Sequence, residues 1–173
     1  WDNYPVNDNT PTMHLGPVFG RDPKLSEVLD GYLSNAMCKQ HQINIIPLMT
    51  CADYAYNPYH YDPGRSIGQA ILHATESREQ QRVLAELVQA YPGMIFYDAG
   101  VGFNPVITEF NRISNAPHAK FAAAAYLSKL EKLSRDFKRQ FPGKYDAAKQ
   151  TLSSDIERIG GKFEAKYGAG DRP

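Results

Sequence analysis

Two long amphipathic segments near the end of the chain, joined by a Pro-Gly turn, constrain its fold most strongly. From His118 to Phe141, large apolar residues recur every three or four positions, which predicts a long helix with one apolar face. A second stripe, from Leu152 to Tyr167, predicts another helix, which Gly160-Gly161 weakens. Because Pro142-Gly143 leaves only a short connection, we expect the two helices to pack as an antiparallel hairpin in a small bundle.

Further helices are predicted upstream of this hairpin. Thr75 is a candidate N-cap for a helix whose apolar face includes Val83 and Leu87 and which ends near Tyr91. Asn104-Pro105 has the sequence of a capped helix start. Residues 75–173 are therefore predicted to form a helical bundle domain.

Residues 1–74 have a mixed pattern. Trp1–Asp8 reads as the exit of a strand, and the apolar run Ile43–Met49 fits a strand buried on both faces, although Pro47 is unusual in such a strand. Asp22-Pro23 predicts the start of a short helix that ends near Asn35. Asp62-Pro63 repeats that signature. The order of strands and helices predicts consecutive βα units.

Two such units cannot close a barrel or form a stable sheet alone. We therefore expect upstream chain to supply the rest of the sheet. The predicted fold class is mainly α with a small α/β part. Residues 1–74 would be the final βα units of a truncated (β/α)8 barrel, and residues 75–173 the helical bundle that follows it.

Composition excludes several functions. Nineteen basic and nineteen acidic residues give a formal net charge of zero, which argues against a dedicated nucleic-acid or anionic-membrane surface. No apolar run approaches the ~20 residues that cross a bilayer. The histidines are scattered and the two cysteines form no C-x-x-C pair, so we predict no metal and no cofactor, and we interpret Cys38 and Cys51 as small core residues.

The polar residues at the predicted strand exit are candidates for a sugar site. Asp8 can accept hydrogen bonds from two hydroxyls, Asn3 can both donate and accept, and the Trp1 ring can wall a pyranose. The tyrosine-rich segment Tyr54–Tyr61 has a composition that is common in sugar-binding loops. By themselves these residues remain ambiguous, because Asn-Asp clusters are more often plain turns.

Three spaced motifs carry a family resemblance. They are W-D-N-Y-P-V-N-D (Trp1–Asp8), L-G-P-V-F-G-R (Leu15–Arg21) and L-S-N-A-M (Leu33–Met37), followed by A-D-Y-x-x-N at Ala52–Asn57, which we interpret as a strand end. Together they resemble the family 84 glycoside hydrolases, the retaining β-N-acetylglucosaminidases that include protein O-GlcNAcases and enzymes called hyaluronidases. The specific part covers roughly the first seventy residues. The helical remainder matches only in kind.

The resemblance implies a set of substrate-binding residues. Asp8 would hold the hydroxyls at the edge of the sugar far from the scissile bond, Asn3 would lie near the reacting groups, and Trp1 would wall the acetamido pocket. Asn35 falls on a second binding asparagine. The residues so implied are Trp1, Asn3, Asp8 and Asn35, with Tyr54 and Tyr56 as rim residues.

The family mechanism is substrate-assisted. The acetamido oxygen of the substrate attacks the anomeric carbon, and a pair of adjacent aspartates orients the acetamide and serves as general acid and then base. This sequence contains no two adjacent aspartates. We therefore expect the catalytic pair upstream of Trp1, and we predict that the isolated chain is inactive. The implied partners are a GlcNAc-containing glycan or an O-GlcNAc protein, and the missing N-terminal barrel segment.

Two alternatives stay open at this stage. The chain could be a non-enzymatic helical interaction module with a vestigial carbohydrate-binding loop, or it could pair with a separate N-terminal chain after cleavage. The sequence does not distinguish terminal GlcNAc on glycans from O-GlcNAc on protein, and it assigns no compartment.

Overall fold

The computed structural model describes residues 2, 4, 12–35, 42–92, 104–168 and 170. In this part of the chain regular structure is almost wholly helical. Its α-helices are α1 (Leu25–Val28), α2 (Ile45–Tyr56), α3 (Pro63–His73), α4 (Arg78–Ala90), α5 (Pro105–Ser114), α6 (Lys120–Gln140) and α7 (Asp146–Tyr167). One 3₁₀ turn, Pro58–His60, lies between α2 and α3. None of the described helices combines the length and the hydropathy needed to cross a membrane.

The predicted hairpin of two long helices is confirmed. α6 and α7 pack along each other, and α4 and α5 close against α6. Apolar residues three or four positions apart on each helix are fully buried here, which is the expected result of amphipathic stripes meeting in a bundle. The largest of these core side chains are Leu84, Leu87, Phe110, Leu127, Phe137 and Phe163.

The turn between α6 and α7 is built from residues with left-handed backbone. Gly143 has a φ of 69°, where glycine meets no steric penalty, and Tyr145 has a φ of 62°. The Tyr145 ring stacks on Phe137 at a centroid distance of 6.0 Å, and it also contacts Phe141. This aromatic packing holds a non-glycine residue in a conformation that is otherwise unfavourable.

Two of the four predicted helix caps are confirmed, whereas the cap at Asp22 was wrong, because α1 begins only at Leu25 and its N-cap residue is Lys24. The Asp62 side chain accepts a hydrogen bond from Arg65 N–H at 2.6 Å, and Asn104 accepts one from Ile107 N–H at 3.2 Å. A proline follows each cap, where its missing N–H costs nothing. The fourth prediction was two residues off, because Ser77 rather than Thr75 caps α4. The Thr75 hydroxyl instead donates to Ile71 C=O in α3 at 2.7 Å.

The predicted strand at Ile43–Met49 was wrong. These residues form the start of α2, which begins at Ile45 and continues through the motif Ala52–Asn57 that was interpreted as a strand end. The reason is Pro47, which lies in the first turn of α2. The first helical N–H groups have no partner in the helix, so proline is tolerated there but not in a central strand.

The helix predicted after Asp22-Pro23 is shorter than expected. It covers only Leu25–Val28 and does not reach Asn35. Leu29 already has extended backbone, and Val28 remains 75% exposed, so the helix has no buried face to stabilise it. The chain from Gly31 to Asn35 contains no helix and pairs with another segment instead.

The N-terminal part and the bundle share one hydrophobic core. Met13, Leu15, Ile43 and Ile46 are fully buried in the same cluster as the bundle leucines and phenylalanines. Leu15 N–H also donates a 2.9 Å hydrogen bond to the carbonyl of Tyr91, the residue after α4. The core therefore includes residues from both sides of residue 74, where the sequence predicts a boundary between two domains. The division into two domains stays a prediction.

Sheet-like pairing in the described residues is limited to one parallel bridge, between Asp2 and Ser34. Most of the predicted strand exit at Trp1–Asp8 lies outside the described residues. The described residues thus form a mainly helical fold with a bundle, whereas the barrel units stay a prediction.

Candidate functional site

The parallel bridge places Asn35 at the end of a paired segment. Asp2 N–H donates to Leu33 C=O at 2.8 Å, and Asn35 N–H donates to Asp2 C=O at 2.7 Å. In a parallel ladder, one residue donates to and accepts from the two residues that flank its partner on the neighbouring strand. Asn35 is half-buried and follows Ser34 directly, just as Asn3 follows Asp2 in the sequence.

The carboxylate of Asp2 is the electrostatic centre of this region. Arg21 binds it with two hydrogen bonds, Nε to Oδ2 at 2.7 Å and Nη2 to Oδ1 at 2.8 Å, and Tyr32 Oη donates to Oδ2 at 2.5 Å. The Asp2 side chain is only 12% exposed. Burial raises the pKa of Asp2, but the hydrogen bonds from Arg21 and Tyr32 outweigh it and hold the pKa below its usual 3.8. Asp2 is therefore ionised and paired.

The same two segments are linked a second time, two residues further on. The Ser34 hydroxyl donates to Tyr4 C=O. The Tyr4 hydroxyl in turn donates to Gly16 C=O at 2.5 Å and to Pro17 C=O at 3.0 Å. Burial raises the pKa of Tyr4 well above its usual range, so it serves as a neutral donor. These bonds fix the segment with the L-G-P-V-F-G-R motif beside the bridge.

Beneath the bridge lies a small aromatic cluster, made of the buried residues Tyr4, Val18, Cys51 and Tyr54 with Tyr32 and Tyr61 packed against them. The Tyr54 ring meets both Tyr32 and Tyr61 edge-on at centroid distances of 5.6 Å. Burial raises the pKa of the Cys51 thiol, which agrees with the interpretation of Cys51 as a core residue. Cys38 lies outside the described residues.

The two faces of the segment that ends at Asn35 have different surroundings. Side chains alternate between faces in extended chain. Tyr32 and Ser34 face the Asp2 carboxylate and Cys51, as their hydrogen bonds show. Leu33, on the opposite face, is 56% exposed. By this alternation, Asn35 is expected to share the face of Leu33.

Three of the predicted site residues lie in the described part of the chain: Asn35, Tyr54 and Tyr56. Asn35 lies on the bridge. Tyr54 is 4% exposed in the last turn of α2, and its hydroxyl donates to Asp22 C=O at 2.9 Å. Tyr56, in the same turn, is 90% exposed. The Tyr54 ring contacts Tyr32, three residues before Asn35, and the rim role of Tyr54 and Tyr56 stays a prediction.

The remaining predicted binding residues, Trp1, Asn3 and Asp8, lie outside the described residues. No role was predicted for Asp2, Arg21 or Tyr32, although these residues form the polar centre of the candidate site. A signal for them was present, since Asp2 and Arg21 both lie in motifs that carry the resemblance. A buried carboxylate paired with arginine, however, is visible only once the chain is folded.

Among the residues that the structure describes, no three His, Cys, Asp or Glu side chains come together in a group that could hold a metal ion. The polar groups at the bridge are instead amides, hydroxyls and one neutralised carboxylate. Such groups recognise hydroxyls and amides of a neutral ligand.

Comparison with known families finds a match over the N-terminal half of the chain. A model of the family described as beta-N-acetylglucosaminidase (NAGidase) matches residues 1–89, just over half of the chain. The matched range contains the bridge, the Asp2–Arg21 pair and α1 to α3, together with most of α4.

Proposed function

The chain belongs to the β-N-acetylglucosaminidase family of glycoside hydrolases, and from this premise we propose that it is the C-terminal part of a retaining enzyme that removes terminal β-linked N-acetylglucosamine. In this proposal, residues 1–74 complete a catalytic (β/α)8 barrel and residues 75–173 form a helical domain behind it. The substrate is a GlcNAc-bearing glycan or an O-GlcNAc protein.

The Asp2–Ser34 bridge is the observation that supports this proposal best. Neighbouring parallel strands joined through a helical connection are the building unit of α/β barrels, and such enzymes form their sites where the strands end. Residues 2 and 34 are paired in parallel and are separated by a stretch that includes α1. Each immediately precedes an asparagine to which the family resemblance gives a sugar-binding role.

The uncovered face of the paired segment supports the same interpretation. Leu33 is an apolar side chain that is 56% exposed, on the face opposite the helices. In a closed barrel that face would point to the interior. We infer that upstream strands of the same protein cover Leu33 and leave Asn35 at the mouth of the barrel.

The proposed chemistry is substrate-assisted. The acetamido oxygen of the substrate attacks the anomeric carbon, and an upstream pair of adjacent aspartates polarises the acetamide and transfers the proton. The residues of this chain bind the sugar: Asp8 and Asn3 hold its hydroxyl and acetamido groups, Asn35 adds a second amide, and Trp1 walls the pocket. Tyr54 and Tyr56 are proposed at the rim.

Since the sequence has no adjacent aspartates, the chain alone is proposed to be inactive. Its contribution is affinity and orientation of the sugar. The shared core, in which Met13 and Leu15 pack with the bundle helices, gives the helical domain the role of a rigid support for these loops.

The test is Asp8→Ala in the full-length protein, with an aryl N-acetyl-β-glucosaminide as substrate. Because a hydrogen bond to a charged group contributes roughly 1.5–3 kcal/mol, we expect kcat/KM to fall on the order of a hundredfold. Asp30→Ala, at an exposed position of the same unit, is the control. Unchanged hydrolysis by Asp8→Ala would contradict the role of Asp8 in sugar binding. No hydrolysis by the wild type would contradict the proposed activity and favour a non-enzymatic interaction module.

A further inference from the structure

A half-buried ion pair involves Asp2, the residue whose backbone pairs with Asn35. The Asp2 carboxylate is 12% exposed, and a carboxylate at such a position requires a compensating charge. Arg21 supplies it through two parallel hydrogen bonds of 2.7 and 2.8 Å, the geometry that only a guanidinium can provide. A third guanidinium nitrogen, Nη1, donates to Phe19 C=O at 3.2 Å. Arg21 is thus held by its own loop while it holds Asp2.

The backbone of the same aspartate holds Asn35. Asp2 C=O accepts the Asn35 N–H at 2.7 Å, and Asp2 N–H donates to Leu33 C=O at 2.8 Å. Tyr32, two residues before Ser34, donates its hydroxyl to the Asp2 carboxylate. The position of Asn35 therefore depends on Asp2 through both its main chain and its side chain.

We propose that Arg21 is a positioning residue for sugar binding, which acts by fixing Asp2 and through it the peptide that carries Asn35. This inference rests on the proposed function, because it assumes that Asn35 binds the sugar. Arg21 itself is directed at Asp2 and Phe19, so its effect on the substrate is indirect. Asp2 also directly precedes Asn3 in the sequence, and the same clamp would set the start of that loop.

The physical consequence of removing Arg21 follows from the burial of Asp2. Among the described residues, Arg21→Gln leaves the Asp2 carboxylate, which is 12% exposed, with the Tyr32 hydroxyl as its remaining side-chain hydrogen-bond donor. The segment then relieves the charge by moving towards water, and Asn35 moves with it. Displacement of a binding group by about 1 Å can cost up to ~10²-fold in rate. An Asp2→Asn/Arg21→Gln double variant removes the buried charge and restores part of the loss.

The kinetic test uses the full-length protein and an aryl N-acetyl-β-glucosaminide. For Arg21→Gln we expect KM to rise about tenfold with a smaller change in kcat, the signature of lost substrate binding. Arg21→Lys should stay impaired because an ammonium cannot form the two parallel bonds. The matched control is Arg82→Gln, which removes another half-buried guanidinium–carboxylate contact, between α4 and α6. It should lower the melting temperature without raising KM.

A second readout does not depend on activity. Hydrogen exchange followed by mass spectrometry measures the protection of the Asn35 amide, which donates to Asp2. Arg21→Gln should speed exchange at residues 33–35 and leave α7 peptides unchanged, whereas Arg82→Gln should not affect residues 33–35.

These readouts distinguish a failure of the proposed function from a failure of the positioning role proposed for Arg21. Absence of hydrolysis by the wild type would reject the proposed function, and with it the role in sugar binding. If the wild type is active, the inference is overturned by unchanged exchange at residues 33–35 in Arg21→Gln. It is equally overturned by a KM that rises as much in Arg82→Gln as in Arg21→Gln. Faster exchange at residues 33–35 together with a specific rise in KM supports it.

Discussion

The hydroxyl of Tyr91, the residue that follows α4, donates a 2.9 Å hydrogen bond to Asp155 Oδ2 in the middle of α7. The other carboxylate oxygen accepts a 2.8 Å hydrogen bond from Asn104, which caps α5. Asp155 is 3% exposed, so one buried carboxylate joins three helices. Because the Tyr91 carbonyl also accepts Leu15 N–H, this junction connects the bundle to the segment beside the candidate site.

Tyr91→Phe tests how much the Tyr91–Asp155 hydrogen bond contributes to the stability of the fold. The substitution keeps the ring and removes the donor to a buried carboxylate, so we expect the free energy of unfolding to fall by about 1.5–3 kcal/mol. Urea unfolding of the chain measures it. Tyr56→Phe, at a position that is 90% exposed, should change the value by less than about 0.5 kcal/mol. Equal effects of the two substitutions would show that the Tyr91–Asp155 bond contributes nothing specific.

Asp136 gives a prediction about acid stability. Hydrogen bonds from Lys132 at 2.7 Å and Arg82 at 2.8 Å hold the pKa of Asp136 at about 2, below its usual 3.8. The unfolded chain therefore takes up the proton more readily than the folded one. The stabilisation is complete above pH 3.8 and is lost as the pH falls towards 2.

Asp136→Asn should accordingly be less stable than the wild type at about pH 6, and the difference should shrink between about pH 4 and pH 2. Chemical unfolding at a series of pH values measures this. A difference that stays constant down to pH 2 would mean that the charge of Asp136 has no part in stabilising the contact between α4 and α6.

A second prediction about pH-dependent stability concerns His14, which gains a positive charge when it is protonated. It is 2% exposed, and its Nδ1 has no hydrogen-bond partner among the described residues. Burial lowers the pKa of His14 from its usual 6.5. The unfolded chain binds the proton more readily, so stability should be complete above about pH 6.5 and should decline below it. His14→Gln should flatten this decline. A wild-type stability that is constant from about pH 7 to pH 5 would contradict the prediction.

Substrate assistance predicts a sharp chemical selectivity. If the acetamido oxygen is the nucleophile, the full-length protein should hydrolyse an aryl N-acetyl-β-glucosaminide, and the aryl β-glucoside that lacks the acetamido group should react at least about a thousandfold more slowly. Initial rates for the two substrates at equal concentration decide this. Comparable rates would indicate an enzymic nucleophile instead.

The bundle was largely predictable because its information is local. The stripes that became α6 and α7, and the caps at Asp62 and Asn104, depend on spacing and on residues adjacent in sequence. The apolar run Ile43–Met49 was wrongly predicted to be a strand, because periodicity does not distinguish a buried strand from a short buried helix. Pro47 was the informative residue, and it was interpreted as an irregularity of a strand rather than as part of a first helical turn.

The candidate site was predictable only in part, for a different reason. The resemblance pointed to Asn35, which lies on the observed bridge. It did not point to the partnership of Asp2 with Arg21, nineteen residues apart in sequence, because an ion pair of that kind depends on where the chain returns. Tyr54 was assigned to the rim of the site through the resemblance, and its burial in the aromatic cluster shows that tyrosines grouped in sequence need not share a surface.

The most direct test of the account compares two proteins under one assay, release of the aryl group from an aryl N-acetyl-β-glucosaminide. We expect turnover by the full-length protein and none above background by the 173-residue chain alone, since the chain is proposed to bind the sugar and its sequence has no adjacent aspartates. Turnover by the isolated chain at a rate similar to that of the full-length protein, or no turnover by either, would contradict it.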